Sequence, residues 1–479
     1  MTAMDEKYQL EFTAEGKARG IPLKASGAGG GIFALLDQET AYPLRLQAAV
    51  GASSINLEGS VYGLAELSRI DARFTIAGKN LAALSDPLHI VLPETARYRL
   101  TGRLVRAGDL WQFEGFRGTV GRSDLSGSFS VHVGGERPFV RADLKSSLLD
   151  IADLGGFVAV NPAAAPVRTT QRVLPQEKFN LERLRRADAE VKLVAQRFTN
   201  REHLPLDNLT AHLTLRDGVV QLRPLNFGVA GGQMRSNVWF DARAATIKVR
   251  VDTRFERLHI NRLVSKAEML QSALGTIDGE AKLAGNGNSV AEMLSAADGN
   301  VALVSAGGTV SNLMLALAGL NGAKIVRFMV FGDRDATLHC AVAGFDVTRG
   351  VMNTNVLVVD TSDTSITGTG SVNLRDETLA FTLSPLPKKP SILSLRGPLH
   401  VTGTFSDPDV GVDKATVSLR AGAAALLALI NPLAALVPLI ETGPGKDSDC
   451  AQLTASIKST ARAADAAPAP NNKRLGAAS

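Results

Sequence analysis

The sequence predicts a mainly-β chain built from antiparallel strands, with a few short helices and a helical segment near the C-terminus. Three observations carry that prediction. Stretches such as Thr378–Ser384 place Leu379, Phe381 and Leu383 on one side and Ala380 and Thr382 on the other. A period of two gives a strand one apolar and one polar face. The chain also has 45 glycines among its 479 residues but only 5% aromatics, which suits many turns between small-residue strands better than one large globular core. Finally, an internal repeat joins its strands through glycine turns.

Taken in order, residues 1–44 are weakly patterned, with a glycine-rich break at Gly27–Gly31. Ser54–Val61, Ile70–Ile76 and Tyr98–Leu104 alternate as strands, and Asn80–Ser85 reads as one helical turn or a loop. The repeat then appears three times, aligned on Gly108, Gly218 and Gly350. Each copy reads strand, tight turn, strand, small connection, strand. The turn dipeptides are Ala107-Gly108, Asp217-Gly218 and Arg349-Gly350, as expected where a hairpin needs positive φ. Residues 161–187 interrupt the strands, with a proline- and alanine-rich start and a basic stretch, Phe179–Arg186, that reads as a short helix or loop.

Helical spacing recurs at Ile260–Leu274 and Asn312–Val330, and Ser289 with Glu292 forms a capping-box pattern closed by Asp298-Gly299. The organisation expected is an N-terminal β part (1–160), a linker (161–187), a C-terminal β part with helical insertions (188–420), an apolar segment (421–442) and a tail (443–479). Ala421–Ile440 carries no charge and is long enough to cross a bilayer as one helix. Asn431-Pro432 and Pro438 break it, because proline removes a helix hydrogen bond. The expectation is two short helices, about 421–430 and 433–440, that cap the end of the sheet, rest on a membrane surface or pack as a buried core hairpin, through Leu426, Leu427, Leu429, Ile430, Leu433, Leu436, Leu439 and Ile440.

Charge excludes little but directs attention away from nucleic acid. The 52 basic and 47 acidic residues are interspersed, the net charge is +5, and no dense basic block stands out. No catalytic signature is present. The seven histidines are scattered, none has metal-ligand spacing with a carboxylate, and there is no phosphate loop or nucleophile elbow. Asp360, Asp363 and Asp376 read as turn and strand-end residues. The reading is a non-enzyme with no cofactor and no metal. The two cysteines, Cys340 and Cys450, are either a buried and an exposed thiol or a bridge from the strand at 340 to the tail.

Several motifs, in chain order, resemble the AsmA family of bacterial envelope proteins. They are Gly121–Gly127, Gly285–Leu294 with Asp298–Val301, Gly368–Leu374, Leu379–Leu383, Pro398–Pro408, the apolar run, and Asp447–Cys450. The resemblance runs from about residue 45 onward. Alternation alone fits either an open curved sheet or two sheets packed face to face. The resemblance favours the first: an elongated, curved, taco-like groove binding phospholipid acyl chains for transport between inner and outer membrane. It implies a periplasmic, cell-envelope protein with membrane surfaces as partners. The family's usual inner-membrane anchor is not visible in the first residues, Met1–Lys7. The second role it implies is a non-enzymatic factor working with outer-membrane assembly components. On this reading Phe74, Ile76, Val131, Val133, Ile247, Val249, Val251, Leu379, Phe381, Leu383, Val401 and Phe405 line the groove, and export favours a Cys340–Cys450 bridge.

Overall fold

The structure, a computed structural model, describes residues 7–18, 20–32, 39–63, 68–84, 94–150, 153, 172–199, 206–259, 262, 275–311, 335–388, 398–412 and 445–455. Apart from residue 262, the expected helices at 260–274 and 312–330 and the apolar segment 421–440 lie outside these residues. The chain divides into two compact units, 1–253 with 285–293, and 254–284 with 294–479.

The first unit is a meander. Its strands are β1 (Leu10–Ala18), β2 (Ile21–Gly29), β3 (Tyr42–Val50), β4 (Ser53–Tyr62), β5 (Arg69–Gly78), β6 (Tyr98–Ala107), β7 (Leu110–Val120), β8 (Ser123–His132) and β9 (Phe139–Asp150). Each pairs antiparallel with the next. A single 3-10 turn, Leu81–Leu84, stands where the sequence left a helical turn or a loop. Then β10 (Asp188–Thr199) lies parallel to β9, with Leu144 opposite Leu193. The sequence pattern pointed to a mostly antiparallel sheet, and this is its one parallel pair among the described strand pairings. A parallel pair needs a long crossover, and the segment between Asp150 and Asp188 supplies one, ending in the short helix α1 (Leu181–Arg186). The expected linker at 161–187 therefore falls inside a unit, bridged by a strand pair. Antiparallel order resumes through β11 (Leu206–Arg216), β12 (Val219–Val229) and β13 (Gly232–Asp241). The strand β14 (Lys248–His259) carries the boundary between the units.

The second unit contains β15 (Thr276–Asn286), β16 (Asp298–Ala306), the short β17 (Thr309–Ser311), β18 (Asp335–Thr348), β19 (Val351–Thr361), β20 (Thr364–Asn373), β21 (Thr378–Pro387), β22 (Leu399–Gly403) and β23 (Pro408–Val412). Among the described residues, β15–β16, β16–β18, β17–β18, β18–β19, β19–β20, β20–β21, β21–β22 and β22–β23 pair antiparallel. In the first unit's segment 285–293, the capping pattern starts the helix α2 (Val290–Ser295). Ser289 Oγ accepts the Glu292 N–H at 3.1 Å, and Glu292 Oε2 accepts the Asn288 N–H at 2.7 Å.

The three repeat copies become β6–β8, β11–β13 and β18–β20. The turns Asp217-Gly218 and Arg349-Gly350 have positive φ at both residues (46° and 72°; 49° and 78°), the geometry whose twist matches that of the strands it joins. Every copy also breaks register within its middle strand, between Phe113 and Phe116, between Leu222 and Leu225, and between Asn353 and Val358. Bulges bend a strand and increase its local twist. The repeat therefore delivers a bend at the same place three times.

Residue Gly102 shows how tightly the first unit's apolar face is packed. A Cβ there would lie 2.9 Å from Phe116 Cα and 3.0 Å from the Phe74 ring. Gly102→Val is expected to destabilise this unit by roughly 1–3 kcal/mol through overpacking, read as a lower urea midpoint with unchanged slope.

Candidate functional site

Residues opposite each other in an antiparallel ladder share a face, so the registers show which side chains line up. Across β3–β6 one row is Ala48, Ile55, Ile76 and Leu100, and the next is Leu46, Leu57, Phe74 and Gly102. Through β7–β9 the same face carries Phe113, Phe129 and Ala142, then Trp111, Val131 and Val140. It continues into β10 and β11 as Leu144, Leu193 and Ala211. Arg106, opposite Trp111, stands on this face with its guanidinium 4.5 Å from the indole centroid; the opposite face carries ion pairs. Arg45 pairs with Glu58 at 3.1 Å, Arg103 with Asp71 at 2.6 Å and with Glu114 at 3.5 Å, and Lys24 with Glu15 at 3.1 Å. The guanidinium of Arg45 holds the Glu58 carboxyl below its ordinary value, and that of Arg103 does the same to Asp71. These pairs are exposed, so each adds little stability; they mark the face that meets water.

The second unit repeats the division. One face runs Val301 to Phe345, Ala343 to Leu357, Val372 to Leu379, Gly370 to Phe381 to Val401, and Leu383 to Leu399. Rings from non-neighbouring strands meet over this apolar side in both units. The centroids of Phe74 on β5 and Phe113 on β7 are 5.6 Å apart, and those of Phe198 on β10 and Phe227 on β12 are 5.5 Å apart. Strands two apart are separated by about 9.5 Å. The rings of Phe345 on β18 and Phe381 on β21 come to 6.4 Å, although three strand spacings are about 14 Å. The side chains lean inward over the strands between them, so the apolar side of each sheet closes toward itself.

Placed on this map, the expected groove residues divide by exposure. Phe74, Val131, Ile247 and Val249 are buried; Phe74 packs in the first unit's core cluster, and Ile247 and Val249 pack with Met293, Leu181 and Leu184. Ile76, Val133, Val251, Leu379, Phe381, Leu383, Val401 and Phe405 are half-buried. Phe74 and Ile76 share the first unit's apolar face with Val131, and Leu379, Phe381, Leu383 and Val401 share the second unit's. Val133 and Phe405 sit just beyond strand ends, where their N–H groups donate to Asp109 and Glu377 carbonyls.

A polar cluster on the other face of the second unit was not legible as a site. The carboxylate of Asp360 is fully buried at the end of β19. Its Oδ2 accepts from Lys388 Nζ at 2.8 Å and lies 3.1 Å from His339 Nδ1. Lys388 Nζ also donates to Asp447 Oδ1, and Ser448 Oγ donates to Asp360 Oδ1 at 3.4 Å. Histidine 339 reaches this cluster because a bulge between Leu338 and Cys340 leaves it unpaired with β19. His339, Asp360 and Asp447 together are metal-type ligands, but the lysine ammonium already serves both carboxylates. Burial alone would push the Asp360 carboxyl up and the Lys388 ammonium down. Their contact outweighs it, so Asp360 titrates below its ordinary range and Lys388 above. Beside the cluster, Cys340 and Cys450 form a disulfide with Cα atoms 6.0 Å apart.

This geometry can be set beside known proteins. The model of the AsmA family matches residues 16–357. Over 471 residues the chain is 31% identical to the AsmA family protein YhjG of Escherichia coli strain K12, covering 94% of this chain and 69% of that protein. The chain belongs to the AsmA family. That makes it an AsmA-like protein of a cell-envelope family. The family match starts earlier than residue 45 and stops at 357, so it includes the Gly121–Gly127 motif but not Gly368–Pro408. In this chain the first of these motifs is a folding device. Asp153 accepts the N–H groups of Arg122 and Ser123 at 2.8 and 3.0 Å and the Ser123 hydroxyl at 2.8 Å. Among the described residues no helix is long and apolar enough to cross a membrane.

The cluster yields a prediction with a definite sign. With its folded pKa depressed, Asp360 contributes stability above the ordinary carboxylate pKa and loses it as pH falls through the lower folded value. Lys388→Met leaves a buried charge without its partner, which costs about 3–5 kcal/mol. Burial then raises the Asp360 pKa, so the variant's deficit should grow as pH rises through ~4. Urea titrations at pH 4 and pH 7 measure it; equal deficits at both would contradict the assignment.

Proposed function

We propose that this AsmA-family chain binds phospholipid acyl chains along the apolar face of its sheets and carries them between the inner and outer membranes, working in the periplasm without chemistry of its own. The observation that carries this reading is the register. In each unit the apolar side chains stand opposite one another on successive strands, forming a face several strands wide, and in the first unit the pairs Arg45–Glu58 and Arg103–Asp71 lie on the other side. A face of this kind suits a long apolar ligand that needs no fixed polar contacts. Each methylene it covers is worth ~0.8 kcal/mol, so an acyl chain is held by the sum of many weak contacts and can slide along the strands without breaking a strong one. The half-buried residues Leu379, Phe381, Leu383 and Val401 are where such a chain would be in contact with the protein. Membership of a cell-envelope family and the likeness to YhjG support the location.

Native mass spectrometry of the purified protein tests the proposal directly, with co-purified phospholipid as the expected finding. Phe381→Asp places a charge among Phe345, Val401 and the neighbouring strands, and should abolish lipid retention, because an unpaired charge on an apolar face is costly. Ala380→Asp, one residue away but exposed on the other face, should leave it unchanged. Equal retention by both variants, or protein free of lipid when isolated from membranes, would refute the reading.

A further inference from the structure

The disulfide does more than join two distant points. Residues 445–455 form a strap across the face of the second unit that carries the polar cluster, and two different devices hold its two halves. Lys388 ion-pairs with Asp447, Ser448 Oγ lies 3.3 Å from Ser365 Oγ, and the Gly445 N–H donates to the Pro387 carbonyl at 3.0 Å. These contacts hold the first half. The second half is the short helical stretch from Cys450, and the Cys340–Cys450 bond holds it. Under that half lie Ala302, Val342 and the partly buried Val304 and Val356, covered by Leu453. A helical stretch this short has almost no stability of its own. Among the described residues, the covalent tie and apolar contacts of Leu453 join it to the sheet.

The tie is also reachable. A cleft of about 410 Å³ opens beside it, lined by both cysteines with Val304, Ser305, His339, Ala451, Thr454 and Ala455. The Cys340 side is 2% exposed, whereas Cys450 is half-buried. We infer that Cys340–Cys450 is a thiol-exchange site, opened from the cleft by a small thiol or a protein dithiol, and that its reduction releases the strap's helical half while the ion-paired half stays bound. The balance is that of disulfide exchange. An incoming thiolate attacks Cys450 Sγ, the S–S bond breaks, and Cys340 leaves as a thiolate that takes a proton from water in the cleft. A second thiol then attacks the mixed disulfide, releasing Cys450 as a thiol. Two reductant thiols are oxidised to a disulfide, and the protein gains two electrons and two protons. The freed strap uncovers an apolar strip on a face that is otherwise polar, independently of what the opposite face binds.

The test uses the full chain in native buffer, incubated with reduced glutathione or dithiothreitol, trapped with iodoacetamide and mapped by mass spectrometry. Alkylation of both Cys340 and Cys450 without denaturant is expected, with chymotryptic cleavage after Leu453 appearing in the reduced sample and absent from the oxidised one. The cluster around Asp447 should keep its protection from hydrogen exchange. Cys450→Ser should show the same cleavage without reductant; should that variant fail to fold, reduction of the unaltered protein decides alone. Alkylation that requires denaturant would overturn the exchange site. Reduction that leaves Leu453 protected would overturn the release.

Discussion

The whole arrangement depends on register. In a pleated strand, successive side chains point to opposite faces, and a slip of one residue exchanges them all. A slip in the β4–β5 ladder would bring Glu58 and Arg73 onto the side now held by Leu57 and Phe74. The burial of Phe74, Leu100 and Phe116 on one side, and the need of Arg45, Glu58, Asp71 and Arg103 for water on the other, both oppose that slip. Tight turns fix the register from the ends, since a two-residue turn leaves the next strand no freedom in where it starts. Weak terms, repeated along the ladder, therefore specify the fold strongly.

The same constraint explains what the sequence could and could not reveal. Alternation is local, so Leu379, Phe381 and Leu383 could be assigned to one face from seven residues of sequence. The turns at Asp217-Gly218 and Arg349-Gly350 and the Ser289–Glu292 cap are equally local, and the structure has them where the residues indicate. The parallel step from β9 to β10 is different. Nothing in either strand's pattern distinguishes a parallel neighbour, and the crossover announces itself only as a break in the strands. The burial of the groove candidates was also hidden. Phe74 and Phe381 are each followed by a threonine and an aliphatic residue, yet the first is 5% exposed and the second half-buried; Phe113 on β7 packs edge-on against Phe74.

The polar cluster was hidden for a further reason. Asp360 follows Val358 and Val359 at a strand end and looks like any acidic turn residue. Its partners stand far away in sequence: His339 lies 21 residues before it, Lys388 lies 28 after, and Ser448 lies 88 after. The one local signal was an acid directly after an apolar run, at a position whose alternation points to the face shared with Cys340 and Val342. That signal cannot identify a cation partner across such distances.

A sheet with one face left partly open must find stability somewhere other than a second layer. Sandwiches bury both inner faces against each other; here residues such as Leu383 and Val401 remain half-buried. Surface ion pairs contribute little each, and ladder hydrogen bonds largely replace bonds to water. The second unit instead concentrates its strongest fastenings on the face away from the apolar row. A buried carboxylate held by a lysine and a bond closing a 110-residue separation both act there. Both leave the apolar face untouched. A buried ion pair is a poor way to gain net stability but a strong way to enforce one geometry, because either partner alone is costly. In this unit it fixes where the chain returns to the sheet after β23, and the covalent bond holds the returning segment in place. The apolar face can then be exposed without being the part on which the fold relies.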